Sequence, residues 1–212
     1  MIKAVLFDMD GLIFDTEHLY KTSWQFAANE QGLDLTDALY QHFIGVPDAA
    51  CEQMLLQHFG SDADLSRFQQ HRDRHFHHLR QQGIAYKSGF AELFNHLRQK
   101  QMRCALVTSS ALAEVKHNFE GSDYLKQFER IVTAEDVDKG KPDPECYLLA
   151  CQRLLLSPEY CIVLEDSNNG MQAALDAGCQ AVMIPDLLVP SIEVKRRASY
   201  IFEQLEQVIA VL

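Results

Sequence analysis

The chain has 212 residues, 47% of them hydrophobic, and a formal net charge of −11 at pH 7. This length allows one well-packed core together with a small second unit. The acidic balance argues against a nucleic-acid partner, because such partners are held mainly by Lys and Arg on their phosphates. No apolar run reaches the roughly 20 residues that span a bilayer. We therefore expect a soluble cytoplasmic protein without a membrane partner, either a monomer or a weak homodimer.

Short apolar runs alternate with helix-like periodicity along most of the chain. The runs lie at residues 4–7, 104–108, 130–133, 161–165 and 181–184. Continuous apolar strands suit a parallel sheet that is covered on both faces. The intervening helical patterns indicate an α/β fold with a doubly wound parallel sheet. We predict that residues 1–15 and 83–212 form this Rossmann-like core.

The segment 16–82 breaks the alternation, since it shows helical patterns and no convincing strand. Five residues follow helical steps of three and four: Leu65, Phe68, Arg72, Phe76 and Leu79. They form one apolar stripe if Arg72 extends its charged end to solvent. Ligands of parallel sheets bind at the carboxyl ends of the strands, and the insert leaves the core at such an end. We predict a small helical cap domain that acts as a lid; the alternative is a rigid subdomain that only adds core.

Asp8 and Asp10 follow the first predicted strand. Residues two apart in an extended chain point to the same side, so these two carboxylates converge. Close carboxylates repel each other unless a cation or a hydrogen-bond donor lies between them. The pair therefore indicates a hard metal, a shared proton or both. A surface turn explains the same residues equally well when they are considered alone.

Three further groups of polar residues follow the later strands. Thr108 and Ser109 precede a predicted helix, where hydroxyls and free backbone N–H groups bind anions. Lys141 lies in a turn stiffened by prolines and is suited to phosphate. Asp166 or Glu165 would complete an oxygen-rich shell of the kind that Mg²⁺ prefers. Each group alone is typical of a helix cap or a solvated turn, but their shared position at one sheet edge predicts a site.

The combined pattern resembles the four motifs of the haloacid dehalogenase superfamily. The matching segments are Asp8-Met9-Asp10-Gly11, Thr108-Ser109, Lys141-Pro142-Asp143-Pro144 and Glu165-Asp166-Ser167. Their order and spacing match over the length of the chain. The helical insert is similar to the α-helical cap of the β-phosphoglucomutase-like branch of that superfamily.

The resemblance implies a role for each matched residue. Asp8 corresponds to the nucleophile that takes the phosphoryl group, and Asp10 corresponds to the general acid and base. Thr108 and Ser109 correspond to the phosphate clamp. Lys141 corresponds to the residue that neutralises both the nucleophile and the bound phosphate.

The resemblance also implies a Mg²⁺ site. Asp8, the main-chain carbonyl of Asp10, and Asp166 correspond to metal ligands, with Glu165 as the accessory acid. The function implied is magnesium-dependent hydrolysis of a small phosphorylated metabolite, of the sugar phosphate or nucleoside monophosphate type, through an aspartyl-phosphate. Dehalogenases of this superfamily lack the second Asp of the first motif, so Asp10 favours phosphate chemistry.

Two other functions remain open, namely a phosphosugar mutase and a non-enzymatic interaction protein. The mutase of this branch places His and Arg in its cap, where this chain has Tyr20 and Asp48. An Asp at that position would repel a second phosphate, which favours the phosphatase. An interaction protein is disfavoured because none of the four motifs is broken. His18 and Tyr20 lie just past the first motif, and we expect them to contact substrate.

Overall fold

The computed structural model describes residues 1–44, 46 and 48–212. The chain forms two compact units, an α/β unit of Met1–Asp15 and Ala85–Leu212 and a helical unit of Thr16–Ile84. Within the described residues, no helix combines the length and the apolar character that crossing a bilayer requires.

The helices are, in chain order, α1 Thr16–Asn29, α2 Asp37–Tyr40, α3 Asp48–Phe59, α4 Leu65–Gln81, α5 Phe90–Gln99, α6 Leu112–Asn118, α7 Glu145–Arg153, α8 Asn168–Asp176 and α9 Ile192–Arg197. Short 3₁₀ helices occupy Gly60–Asp62, Leu125–Gln127, Ala134–Asp136, Pro158–Tyr160 and Leu205–Val211. The helical unit thus contains α1 to α4, and the α/β unit contains α5 to α9.

One parallel sheet forms the centre of the α/β unit. Its strands are β1 Ala4–Phe7, β2 Arg103–Val107, β3 Arg130–Val132, β4 Cys161–Glu165, β5 Gln180–Met183 and β6 Tyr200–Ile201. Their spatial order is β3-β2-β1-β4-β5-β6. This order reverses where β1 meets β4, and ligands of doubly wound sheets bind at such a point. The predicted fold class is confirmed, and the five predicted strands agree with the structure to within one residue at each end.

Helices cover both faces of the sheet, as the continuous apolar strands predicted. Ala4 and Leu6 of β1 belong to a core cluster that also contains residues of α7 and α8. The alternate side chain of the strand, Phe7, packs against Phe90 and Phe94 of α5 at centroid distances of 6.3 and 5.9 Å. All six cysteines are buried and free. The sheet is therefore packed on both faces where β1 ends.

The helical unit has its own core, which is centred on Trp24 of α1. The Trp24 ring lies 5.1 Å from that of Phe68 and 5.5 Å from that of Phe43. Arg72 enters this core, because its guanidinium lies 5.1 Å from the Trp24 ring and 3.0 Å from a carboxylate oxygen of Glu52. The condition that Arg72 extends its charge to solvent is not met, because its side chain is buried. Acidic residues of α3 and of its own helix surround the guanidinium and let the charge stay buried.

We expect Arg72→Ala to destabilise the helical unit by about 3–5 kcal/mol, because it leaves the buried Glu52 carboxylate without its partner. The double variant Arg72→Met/Glu52→Leu should regain most of this loss, since it removes both charges. Urea unfolding followed by the fluorescence of Trp24, the single tryptophan of the chain, measures the effect. Arg67→Ala, at an exposed position of the same helix, is the control. Equal midpoints for Arg72→Ala and Arg67→Ala would contradict the prediction.

Candidate active site

The side chain of Lys141 joins two acidic residues from different strands. Its Nζ lies 2.5 Å from Oδ1 of Asp8, which follows β1, and 2.6 Å from Oε1 of Glu165, which ends β4. The third contact is the main-chain oxygen of Val107 in β2, at 3.3 Å. The three donors of the ammonium therefore hold together the carboxyl ends of the three central strands.

Hydrogen bonds occupy both carboxylate oxygens of Glu165. Oε1 accepts from the Tyr147 hydroxyl at 2.7 Å in addition to Lys141. Oε2 accepts from the amide and the hydroxyl of Ser167, at 3.2 and 3.0 Å. Glu165 is completely buried. Its carboxylate is therefore fixed in place and in turn fixes Lys141.

The backbone of α8 leaves space for Glu165 at Gly170. A Cβ atom on Gly170 would lie 1.8 Å from Oε1 of Glu165. Only glycine fits here, because the carboxylate that would have to move is held by four hydrogen bonds.

Asp10 accepts a hydrogen bond from a residue outside the Lys141 cluster. Its Oδ2 accepts a hydrogen bond of 2.7 Å from the Ser110 hydroxyl. Ser110 is positioned in turn, since its amide donates to Oγ1 of the buried Thr108 at 3.0 Å. Asp8 accepts from Lys141 and Asp10 accepts from Ser110, which suits different chemical roles for the two carboxylates.

The loop after β2 differs from the prediction in one respect. Helix α6 begins at Leu112, with Ala111 as its N-cap. Thr108 and Ser109 therefore lie in a loop that precedes the helix and not in its first turn, and the expectation that they bind phosphate stays a prediction. Thr108 is buried directly beside the strand end, and Ser109 is exposed.

The pKa values of the cluster reflect burial and mutual charge. Burial raises the pKa of Asp8 well above its ordinary value, and the nearby carboxylates of Glu165 and Asp10 add to the rise against the opposing effect of Lys141. Burial lowers the pKa of Lys141, but Asp8 and Glu165 outweigh it and hold this pKa above its ordinary value. The cluster thus sets a single ammonium, whose protonated form its neighbours favour, among several acidic side chains.

Three buried acids of the cluster fit a divalent cation. Oxygens of Asp8, Glu165 and Asp166 lie within 4.8 Å of one another. Carboxylate oxygens are the ligands that magnesium prefers, usually with several waters. Acidic side chains outnumber the single ammonium here, which gives such an ion an electrostatic reason to bind. Because hydrogen bonds already occupy both oxygens of Glu165, Asp8 and Asp166 are the acids best suited to direct coordination.

The remaining predicted residues lie in the helical unit, on α1. His18 is exposed. The Tyr20 hydroxyl donates a short hydrogen bond to the carboxylate of Asp48, the first residue of α3. A cavity of about 190 Å³ within this unit is lined by Glu17, Tyr20, Trp24, Tyr40, Phe43, Ile44, Val46, Asp48 and Cys51. Substrate contact by His18 and Tyr20 stays a prediction.

Sequence reasoning did not identify three residues that position the site, namely Ser110, Tyr147 and Gly170. The sequence offered two signals for these residues, namely a polar tyrosine within the apolar face of α7 and a glycine within α8. A tyrosine within an apolar helix face is typical of a core residue, and the spacing of apolar residues does not indicate which group its hydroxyl bonds to. These contacts join residues that lie far apart in the chain or that meet only in the folded helix.

The chain is similar over most of its length to known phosphatases. Residues 5–184 match the family model of haloacid dehalogenase-like hydrolases. A phosphorylated carbohydrates phosphatase of Thermotoga maritima is 32% identical over 85% of this chain and 84% of that protein. Hexitol phosphatase A of Escherichia coli is 34% identical over 86% of this chain and 82% of that protein. The solved structure of a candidate β-phosphoglucomutase from Thermotoga maritima aligns with a TM-score of 0.82 at 29% identity, over 99% of this chain and 98% of that one.

We expect Gly170→Ala to destabilise the α/β unit by about 1–3 kcal/mol, because the new methyl group displaces the Glu165 carboxylate. The sign is informative, since Ala is otherwise the better helix former by about 1 kcal/mol. Denaturant unfolding followed by circular dichroism measures the change. Gly140→Ala is the control, because a Cβ there meets nothing within 4 Å. Equal stability of the two variants would show that Glu165 is free to move.

Proposed function

Because the chain belongs to the family of haloacid dehalogenase-like hydrolases, we propose that it hydrolyses phosphate monoesters of small metabolites through an aspartyl-phosphate on Asp8. The observation that carries this proposal is the position of Lys141 between Asp8 and Glu165. A buried ammonium at this point orients the Asp8 carboxylate and offsets the charge of an incoming phosphate. Phosphoryl transfer depends mainly on such positioning and charge stabilisation.

In the first step, a carboxylate oxygen of Asp8 attacks phosphorus, and the bond between phosphorus and the ester oxygen breaks. Asp10 is protonated at this stage and gives its proton to the leaving alcohol. The hydrogen bond from Ser110 holds the Asp10 carboxyl group in place for this transfer. A carboxylate nucleophile divides a difficult hydrolysis into two easier steps.

In the second step, Asp10 is ionised and removes a proton from water. The water oxygen attacks phosphorus, and the bond between phosphorus and Asp8 breaks. Inorganic phosphate leaves, and both the Asp8 carboxylate and the protonated Asp10 are restored. Lys141, whose pKa Asp8 and Glu165 hold above its ordinary value in the resting site, provides positive charge beside the phosphoryl group.

Magnesium held by Asp8, Asp166 and the main-chain carbonyl of Asp10 would supply positive charge to the phosphoryl oxygens. Glu165 then serves to orient Lys141 and not as a direct ligand, because its oxygens are engaged by Lys141, Tyr147 and Ser167. We assign the phosphate clamp to Thr108 and the Ser109 amide, both at the end of β2.

We further propose that the helical unit recognises the part of the substrate that is not phosphate. Two similar proteins act on phosphorylated carbohydrates and on hexitol phosphates, as their names state. The cavity of the helical unit combines the carboxylates of Glu17 and Asp48 with the aromatic rings of Tyr20 and Trp24. Among its described lining residues there is no Lys or Arg. These groups suit a polyol and disfavour a second phosphate.

Release of inorganic phosphate from a panel of phosphorylated metabolites, with Mg²⁺ or with EDTA, tests the function. The panel holds hexitol phosphates, sugar monophosphates, sugar bisphosphates and nucleoside monophosphates. We expect release that depends on Mg²⁺ and favours a polyol monophosphate. Isomerisation of a sugar phosphate without release would instead establish the mutase. The absence of either reaction in folded protein with Mg²⁺ would contradict an enzymatic role.

Asp8→Asn is the matched inactive variant for this assay. The amide is nearly isosteric with the carboxylate but is a poor nucleophile, so we expect no turnover with an unchanged fold by circular dichroism. Turnover near that of the unsubstituted protein would remove Asp8 from the mechanism.

We expect Asp10→Ala to lower steady turnover by about 10²–10⁴, the usual contribution of general acid and base catalysis. An aryl phosphate, whose leaving group needs no proton, should still phosphorylate Asp8, so the phosphoenzyme should accumulate. Rapid-quench kinetics measure both quantities. Ser110→Ala is the control, because it removes only the hydrogen bond to Asp10 and should have a smaller effect. Equal rates for the two variants would assign the proton transfers to another residue.

A further inference from the structure

Asp186, beyond the end of β5, is a buried acid that the mechanism above does not use. Its Oδ1 lies 2.6 Å from Nζ of Lys87, and its side chain is only 9% exposed. Its other oxygen, Oδ2, is buried and has no hydrogen-bond partner among the described residues. A buried acceptor without a donor costs about 1–3 kcal/mol, so a native protein that retains one needs a reason.

The unpaired oxygen of Asp186 lies close to Asp166, as the surroundings of Gly11 show. A Cβ atom built on Gly11 would be 2.3 Å from Oδ2 of Asp166 and 3.4 Å from Oδ2 of Asp186. Two atoms so close to one point are separated by at most about two hydrogen-bond lengths, the span of one bridging water. Gly11, with a φ of 77°, is the residue whose missing side chain leaves this space.

Lys87 keeps Asp186 in the orientation that presents Oδ2 to this space. The ammonium engages Oδ1, and it also lies 3.7 Å from Oδ1 of Asp15. A carboxylate fixed by a cation on one oxygen presents the other oxygen in a defined direction. An ion pair that served stability alone would gain nothing from the burial of the second oxygen.

We propose that Asp186 is a positioning residue for the magnesium ion, and that its Oδ2 accepts a hydrogen bond from a water bound to that ion. This inference rests on the proposed function, because the proposed function makes Asp166 a direct ligand of the magnesium ion. Residues that orient ligands or ligand waters commonly contribute 10- to 100-fold to metal affinity. Asp186 and Lys87 thus extend the site from the β1 and β4 strand ends to β5.

Calorimetric titration of the metal-free protein with MgCl₂ tests the proposal without an activity assay. We expect Asp186→Asn to raise the Kd for Mg²⁺ about 10- to 100-fold. At saturating Mg²⁺, kcat should stay within a few-fold of that of the unsubstituted protein, because Asp186 acts through the ion. Asp176→Asn, which removes an exposed acid paired with Arg197 at the far end of α8, is the control and should leave the Kd unchanged.

The double variant Lys87→Met/Asp186→Leu covers the case in which Asp186→Asn does not fold, because it leaves no unpaired buried charge. It should show the same loss of Mg²⁺ affinity. If the unsubstituted protein does not bind Mg²⁺, the proposed function itself fails. If that protein binds Mg²⁺ and the Asp186 variants bind it equally well, only the role of Asp186 is overturned.

Discussion

The buried ammonium of Lys141 is the constraint on which the rest of the site depends. Its side chain is 8% exposed, and the two carboxylates that it contacts are nearly or completely buried. Buried charges are tolerated only when they are paired and their remaining hydrogen-bonding groups are satisfied. Lys141 meets this condition because the strand order places β1 between β2 and β4, so that Asp8, Val107 and Glu165 surround one point. A shift of any of these strands would leave a buried charge without its partner.

The two acids that contact Lys141 differ in how many hydrogen bonds hold them. This difference distinguishes Glu165, which supports the site, from Asp8, which is the proposed nucleophile. Glu165 accepts hydrogen bonds from Lys141, Tyr147 and Ser167, which leaves it little freedom to act as a ligand or a base. The side-chain hydrogen bond shown for Asp8 is the one from Lys141 to Oδ1. The site therefore presents a fixed lysine and an oriented carboxylate at the switch point of the sheet.

The fold and the main residues of the site follow from local sequence patterns. The residues that hold these side chains in place do not. Asp8, Lys141 and Asp166 follow apolar strands, and parallel strands bring their carboxyl ends to one edge. Strand β6 was not predicted, because two exposed residues make no apolar run. Helical periodicity alone does not show that Arg72 is buried, because its partner Glu52 belongs to another helix. Ser110 lies 100 residues from its partner Asp10, and periodicity carries no information about such distant pairs.

The covalent state of Asp8 during turnover is the most direct test of this account. The protein is mixed with its best substrate and Mg²⁺, quenched in acid within one turnover, and digested for peptide mass spectrometry. We expect one phosphoryl group on Asp8, stable in acid and removed by hydroxylamine as acyl phosphates are. Release of phosphate without any phosphorylated Asp8, or with the phosphoryl group on another residue, would contradict it.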